Sequence, residues 1–221
     1  MKKKRRISIV VCLIAVLFVV NASYAETDQS AMPSALKEMS ATYEDQFTTH
    51  TNNWPEYDNS TASVLIEDGE YHIEHKGKKG FHIVLHPYGV STDMDSMIHV
   101  SVSTVRGSGD HSYGFVFGAK DAENNYSFQI RNNNVYSIEK IRDGKRQKLA
   151  GGPIDNIFIN KNSEKTLKIV KQRDKVRFYV DEYYLDELVN ADFPGDLVGF
   201  IVDGKVKISV DWTRTQIKFK G

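Results

Sequence analysis

Four polar side chains fall on one face of the central predicted hairpin of this chain. A turn at 132–134 places Gln129 opposite Ser137, puts Glu139 further along the same face and leaves Arg131 at the end of the row. Amide, guanidinium and carboxylate groups offer the planar donors and acceptors that hold sugar hydroxyls. The pattern is also typical of the solvated face of an ordinary antiparallel sheet. Ligand binding by these four residues is therefore one of two interpretations.

A sugar site also needs an aromatic ring that covers the apolar C–H face of the sugar. Trp54 is the candidate for this role, and Tyr88 and Tyr183 are two further aromatic residues with the same chemistry. We expect weak binding in a shallow site that is open to solvent, because few of its groups would be fully desolvated.

A second polar cluster contains four histidines and one glutamate: His72, Glu74, His75, His82 and His86. In a hairpin that turns at 77–79, Glu74 faces His82 and His72 lies diagonal to it. Two imidazoles and a carboxylate are suitable ligands for zinc or a similar ion. Because the register of this Gly/Lys-rich turn is not fixed, the sequence favours a solvated polar face over a metal site.

One acidic turn has oxygen ligands of the kind that calcium prefers. Asp121, Glu123 and Asn124 lie close together there, and carboxylate and amide oxygens are common calcium ligands. A plain polar turn has the same composition. We predict no bound cofactor, with calcium at this turn as the alternative.

The elements that position these residues are short strands joined by tight turns. Apolar residues alternate at Tyr113, Phe115 and Phe117, and the same period continues through 126–130 and 136–138. Four turns agree with the apolar pattern, and each predicts a set of cross-strand pairs. These are 132–134 (Ile130 with Tyr136, Phe128 with Ile138), 173–174 (Ile169 with Phe178, Leu167 with Val180), 181–182 (Val180 with Tyr183, Phe178 with Leu185) and 203–204 (Ile201 with Val206, Leu197 with Val210). Ten or more strands at this spacing predict an all-β sandwich or jelly roll.

The same segments carry a resemblance to a known family. Tyr113–Gly118, Asn125–Phe128 and Tyr136–Lys140 resemble the middle of a bacterial concanavalin A-like lectin/glucanase domain, of the laminin G-like and 3-keto-disaccharide hydrolase-like subgroup. Flanking segments agree, among them Phe47 with Trp54, Asp68–Tyr71, Val176–Val180 and Gly195–Trp212, although Asp181-Glu182 stand where the family has Asn-Gly. The resemblance covers about residues 43–217 and implies a jelly-roll β-sandwich of two antiparallel sheets with a ligand groove on its curved sheet.

Catalytic residues are not predicted. Laminarinase-like members of this superfamily carry Glu-x-Asp-x-(x)-Glu on one strand, which places an acid and a nucleophile on the same face. This chain has no such run, and the nearest cluster is Glu182, Asp186 and Glu187. The sequence therefore favours a non-catalytic binding module. The alternatives are a glycan-active hydrolase of the 3-keto-disaccharide hydrolase-like group and an envelope protein-interaction domain without a sugar site.

The N-terminus indicates export. Residues 1–25 combine a basic start, a short apolar run and the small-x-small sequence Ser23-Tyr24-Ala25, which predicts a cleaved signal peptide, with an uncleaved N-terminal anchor as the alternative. Residues 26–42 are predicted to be a linker and residues 43–221 the folded domain. Cleavage lowers the Lys+Arg count from 29 to 24 against 29 Asp+Glu, so the mature chain carries a net charge of about −5. Negative charge argues against a nucleic-acid partner.

The remaining expectations concern compartment and partners. Cys12, the single cysteine, lies inside the signal segment, so the mature domain depends on its hydrophobic core rather than on disulfides. We expect a periplasmic or extracellular protein with no integral membrane span after cleavage. Its expected partner is carbohydrate, for example a cell-envelope glycan.

Overall fold

The computed structural model describes residues 41–50, 52–87, 94–154 and 164–218. These residues form thirteen strands, and none of them lies in a helix. The strands are β1 (Ala41–Asp45), β2 (Tyr57–Asp58), β3 (Ala62–Glu67), β4 (Glu70–His75), β5 (Phe81–His86), β6 (Asp95–Asp121), β7 (Asn124–Arg131), β8 (Val135–Arg142), β9 (Lys145–Pro153), β10 (Lys165–Gln172), β11 (Lys175–Val180), β12 (Tyr183–Val189) and β13 (Leu197–Lys218). The predicted signal peptide and all but the last two residues of the predicted linker lie outside the described residues.

Two long antiparallel strands, β6 and β13, pair along most of their length and belong to both layers of the fold. We call one layer sheet A, with the order β12-β11-β10-β6-β13-β4-β3-β2 and with β1 also on β13. The other layer, sheet B, has the order β5-β13-β6-β7-β8-β9. The predicted antiparallel two-sheet sandwich is confirmed.

The hairpin predicted at Asp203-Gly204 is wrong. β13 runs straight through this dipeptide, and its pairing with β6 shifts register between Asp203 and Lys205. Gly204 has a φ of +75°, and a Cβ there would lie 2.5 Å from the backbone oxygen of Asp110. A positive φ suits a β-bulge as well as a two-residue turn. The dipeptide lies where β13 passes from sheet B to sheet A.

The hairpin predicted around 77–79 is also wrong. β4 pairs with 206–210 of β13, and β5 pairs with 198–203 of the same strand. The two strands therefore follow each other along one edge of β13, which separates Glu74 from His82. The predicted histidine and glutamate cluster does not form.

The other three predicted turns are confirmed. Ile130 lies opposite Tyr136, Leu167 opposite Val180, and Val180 opposite Tyr183. One predicted pair is wrong, because a bulge in the β11–β12 ladder pairs Phe178 with Asp186 instead of Leu185.

The core lies between the inner faces of the two sheets. Five of the six predicted core residues are buried, namely Phe115, Phe128, Ile138, Ile169 and Phe178. Leu185 packs against this core but is only partly buried. Since the inner faces meet here, the outer faces of the sheets remain available for other contacts.

Candidate functional site

The outer face of sheet B is concave. β9 and β13 are separated by three strands, that is, by four inter-strand spacings. In a flat sheet with spacings of about 4.8 Å, they would be roughly 19 Å apart. Arg146 on β9 nevertheless donates from Nη1 to Asp203 Oδ2 on β13 at 2.6 Å, and its guanidinium lies 4.6 Å from the ring centre of Phe81 on β5. One arginine side chain cannot span that flat distance, so the sheet must curl towards its outer face. We call this surface the concave face.

Two glycines permit the close strand packing that this curvature needs. A Cβ on Gly114 of β6 would lie 1.9 Å from the Phe128 carbonyl oxygen, and one on Gly199 of β13 would lie 1.9 Å from the Val84 carbonyl oxygen. Real side chains do not tolerate such a contact with backbone. The concave face therefore depends on glycine at both positions.

A hydrogen-bond network covers the polar part of the concave face. Ser112 Oγ donates to Gln129 Oε1 at 2.8 Å, and Gln129 Nε2 donates to Ser127 Oγ at 2.9 Å and to Glu139 Oε2 at 3.3 Å. Arg146 Nε donates to Glu139 Oε2 at 3.0 Å. Because these hydrogen bonds link β6, β7, β8 and β9, with one of them within β7, the side chains are held in one arrangement before any ligand arrives.

Ser137 is the exception within this network. Its side chain is 2% exposed, and its Oγ has no hydrogen-bond partner among the described residues. It lies next to Gln129 in the β7–β8 pairing. Buried polar groups are nearly always hydrogen-bonded, so Ser137 is an exception among the described residues.

The network becomes accessible at one end, which we call the rim: Phe81, Asp110, Arg131, Arg146 and Asp203. Three of these residues share a cross-strand row, since Phe81 pairs with Asp203, Asp203 with Ser112, and Ser112 with Arg131. The ring of Phe81 is 40% exposed, and Arg131 Nη1 lies 3.5 Å from Asp110 Oδ2. The rim thus places an aromatic ring, two guanidinium groups and two carboxylates together.

The structure changes the predicted character of the site. The predicted register is confirmed, because Gln129 pairs with Ser137 and Ser127 with Glu139. The predicted shallow, solvent-open surface is wrong for three of the four polar residues, because Gln129, Ser137 and Glu139 are each less than 5% exposed. Arg131 is the predicted residue that remains accessible.

Trp54 does not lie on this face. It is 5% exposed and packs in the core against Phe47, Tyr71 and Phe200, with the ring of His86 stacked on it at 4.3 Å. The expectation that Trp54 offers a ring to a ligand is wrong, because its burial leaves no surface for stacking.

The other two predicted aromatic residues do not provide that ring either. Tyr183 is 41% exposed but begins β12, at the far edge of sheet A. Tyr88 lies outside the described residues.

The sequence interpretation missed Phe81, Arg146 and Asp203. Phe81 and Asp203 were hidden by the two wrong hairpins, because their pairing with each other requires β13 to continue past Gly204. Arg146 lies beyond a polar turn on a strand without an apolar alternation. The β8–β9 pairing places Arg146 opposite Ile141, two residues from Glu139 on β8, and no local sequence pattern predicts that register.

The histidines take separate structural roles. His75 Nδ1 lies 3.0 Å from the Gly204 carbonyl oxygen, His86 Nε2 lies 2.6 Å from the Asn52 carbonyl oxygen, and His82 Nε2 lies 2.5 Å from the hydroxyl of Tyr57. Burial, and then the charge of His75, lower the pKa of His82. The neutral imidazole is therefore the favoured form of His82.

The acidic turn between β6 and β7 bonds mainly to itself. Asp121 Oδ1 accepts from the backbone N–H of Glu123 at 2.9 Å and from Asn124 Nδ2 at 3.1 Å. The Asn124 hydrogen bond is the largest cause that lowers the pKa of Asp121. Across the described ranges, no group of three or more His, Cys, Asp or Glu side chains is placed to hold a metal ion. The prediction of no bound cofactor, with calcium at this turn as the alternative, stays a prediction.

Within the same part of the chain, no helix has the length and apolarity needed to cross a membrane.

Solved structures similar to this chain share its fold. A β-glucanase of Bacillus licheniformis has a TM-score of 0.57 and 13% identity, over 81% of this chain and 99% of that one. A Bacillus subtilis protein of unknown function with a galectin-like fold has a TM-score of 0.58 and 12% identity, over 83% and 99%. The CBM2 module of the evolved Dit protein of Lactobacillus casei BL23 phage J-1 has a TM-score of 0.57 and 12% identity, over 81% and 96%. No protein-family model matches the chain, and no curated protein matches it.

At these identities the similarities establish the fold alone. The chain has the concanavalin A-like jelly-roll fold that the sequence predicts. The laminin G-like and 3-keto-disaccharide hydrolase-like subgroup stays a prediction.

Proposed function

We propose that this chain is an exported, non-catalytic carbohydrate-binding module whose ligand binds at the rim of the concave face. The observation that carries the proposal is the meeting of the Phe81 ring, Arg146 and Asp203 above a buried polar network. Similar folds occur in a protein named as a carbohydrate-binding module and in a β-glucanase. Both names are consistent with a sugar ligand.

Each rim residue has a part in this binding. The exposed ring of Phe81 covers the C–H face of a sugar. The guanidinium of Arg146 has five N–H donors, and its contacts with Glu139 and Asp203 use two of them. Asp203 and Asp110 accept hydrogen bonds from sugar hydroxyls, and Arg131 donates to ring or hydroxyl oxygens. A neutral oligosaccharide matches this mixture of donors and acceptors.

In this proposal the buried network does not contact the ligand directly. It fixes the position of the rim residue that does. Glu139 accepts hydrogen bonds from Gln129 and from Arg146, so the Gln129–Glu139 pair holds the arginine side chain in place from below. A preorganised arginine loses less side-chain freedom when the ligand binds, and that smaller entropy loss favours affinity. Glu139 is therefore a positioning residue in this proposal.

The arrangement of the Glu139 and Asp203 carboxylates favours a role in ligand binding over a role in glycoside hydrolysis. A glycosidase needs one carboxyl group that delivers a proton and a second one that acts as base or nucleophile. Here Glu139 and Asp203 both accept from the same guanidinium. A charge-assisted contact of this kind is suited to an acceptor and not to a proton donor.

A glycan array of the mature protein, followed by calorimetric titration, tests the proposal. We expect a dissociation constant in the order of micromolar to millimolar. Phe81→Ala and Arg131→Ala should each weaken binding about tenfold, the loss typical of a charged or aromatic contact. Tyr184→Ala and Arg142→Ala are the controls, because they remove an exposed aromatic residue of sheet A and an arginine about as exposed as Arg131. Equal losses in the controls would place the site elsewhere.

Two further outcomes decide against parts of the proposal. Release of new reducing ends from the bound glycan, lost in Glu139→Gln, would favour the hydrolase. A blank array would favour the protein-interaction domain. Export is tested separately, since N-terminal sequencing of the mature form should begin near Glu26.

A further inference from the structure

Three cations share the outer face of sheet A where β6 and β13 cross between the layers. Arg106 pairs with Lys207, and Ser108 pairs with Lys205. Glu74 of β4 pairs with Lys207 from the other side. Side chains two residues apart on a strand point to the same face, so the register alone places Arg106, Ser108, Lys205 and Lys207 together.

These side chains line a surface cavity of about 190 Å³, which we call the basic pocket: Glu74, Arg106, Gly107, Ser108, Lys205, Val206 and Lys207. The pairing of β6 with β13 shifts register on both sides of Lys205 to Lys207. Such bulges re-aim side chains and open the ladder locally. The cavity therefore lies between two register shifts in the β6–β13 ladder.

One carboxylate fixes the arginine of the basic pocket. Glu74 Oε2 accepts from Arg106 Nη2 at 2.7 Å, and the Glu74 side chain is only 13% exposed. Across the described residues, neither Lys205 nor Lys207 forms an ion pair with a carboxylate. The pocket thus carries two uncompensated positive charges, whereas the mature chain has an overall excess of negative charge.

We infer that the basic pocket binds an oxyanion group, either phosphate or sulfate. Two ammonium groups supply point charges, the arginine supplies directional N–H donors, and the Ser108 hydroxyl supplies a further hydrogen bond. Charge-assisted hydrogen bonds of this type are the strong ones. The pocket shares no residue with the proposed sugar site, although Ser108 and Lys205 lie two positions from Asp110 and Asp203 of the rim along β6 and β13. The inference does not depend on the sugar site.

Calorimetric titration of the mature protein with inorganic phosphate and with inorganic sulfate tests this inference. We expect a dissociation constant in the order of millimolar at low ionic strength, weakened by added sodium chloride because salt screens exposed charges. The double variant Lys205→Gln/Lys207→Gln should lose at least about tenfold in affinity. The matched double variant Lys120→Gln/Lys175→Gln removes two exposed lysines elsewhere and should bind as the unmodified protein does.

Glucose 1-phosphate and glucose distinguish the source of the oxyanion. Displacement of phosphate by glucose 1-phosphate but not by glucose is expected in either case. Tighter binding of the sugar ester than of phosphate assigns the pocket to a phosphorylated glycan, and equal binding assigns it to the free ion. Absence of phosphate and sulfate binding, or equal loss in both double variants, would overturn the inference.

Discussion

The concave face of sheet B and the basic pocket of sheet A use polar side chains in different ways. On sheet B, Gln129 and Glu139 are buried and bonded to each other, and Arg146 closes over them. On sheet A, Arg106 with Glu74 and Arg214 with Glu44 form ion pairs whose arginines are exposed, although Lys168 is buried in its ion pair with Glu182. Arg106 is 65% exposed, whereas the side chain of Glu139 is 6% exposed.

This difference follows from curvature and not from composition. Sheet B curls enough for β9 to reach β13 and β5, so its outer side chains shield each other from water. Hydrogen bonds are stronger in such a low-dielectric site, and an unmatched group there is more costly. These properties favour sheet B for the proposed recognition of neutral hydroxyls and sheet A for the proposed binding of an oxyanion, whose attraction salt screens.

The largest expected effect concerns the core on which both faces rest. Phe178 is fully buried and contacts the rings of Phe117 and Phe128 across the sandwich. Phe178→Ala should lower the free energy of unfolding by about 3–5 kcal/mol, because it removes a buried ring and leaves a cavity. Chemical denaturation measures this value. Tyr184→Ala, a change of an exposed ring, should cost less than about 1 kcal/mol, and equal costs would break the assigned register.

The second effect tests the origin of the curvature. Gly114→Ala should lower the free energy of unfolding by about 2–3 kcal/mol, because the new Cβ meets the Phe128 carbonyl oxygen at 1.9 Å and one strand must move. Gly152→Ala on β9 is the control. Its Cβ would meet Tyr136 Cε1 at 3.7 Å and the Tyr136 hydroxyl oxygen at 4.0 Å, both ordinary contacts. A tolerated Gly114→Ala would mean that the concave face does not need this close approach.

The third and smallest effect is a pH dependence that arises on sheet A. Burial, opposed by Glu182 and assisted by Lys168 and Arg214, lowers the pKa of His99 from 6.5 to about 4. The folded protein thus binds fewer protons than the unfolded chain between these values. The contribution of His99 to the free energy of unfolding is complete above pH 6.5 and is lost as the pH falls towards about 4.

The expected loss is about 1–3 kcal/mol, because a partly exposed group retains some solvation. His72, His82 and His86 have lowered pKa values for the same first reason and act in the same direction. Unfolding curves between pH 4 and 7 measure the slope. His99→Gln should reduce it, and an unchanged slope would show that His99 is not the source.

The fold was predictable because short-range rules fix most of it. In the turn at 132–134, Asn134 suits a positive φ and adopts one, whereas in the turn at 173–174 Arg173 adopts a positive φ without being a residue type that favours it. Their apolar partners then fall on the core side together. Local turn chemistry and a period of two were sufficient for this part of the structure.

The candidate site was only half predictable because it depends on long-range pairing. Gln129 and Glu139 share one hairpin, so their relation was visible in the sequence. Phe81 meets Asp203 only because β13 continues through Gly204. An Asp-Gly dipeptide serves a turn and a bulge equally well, and nothing local separates the two. The prediction for Trp54 was wrong because the sequence around it does not determine whether the ring faces the core or the solvent.

The most direct test of the sugar site is a map of amide chemical shifts in the mature protein titrated with the oligosaccharide that the array selects. The account predicts changes at Phe81, Arg131, Arg146 and Asp203, with smaller changes at Gln129 and Glu139 beneath them. Residues of β11 and β12 on sheet A should not move. Shifts concentrated on sheet A, with the rim of the concave face unaffected, would contradict the central claim.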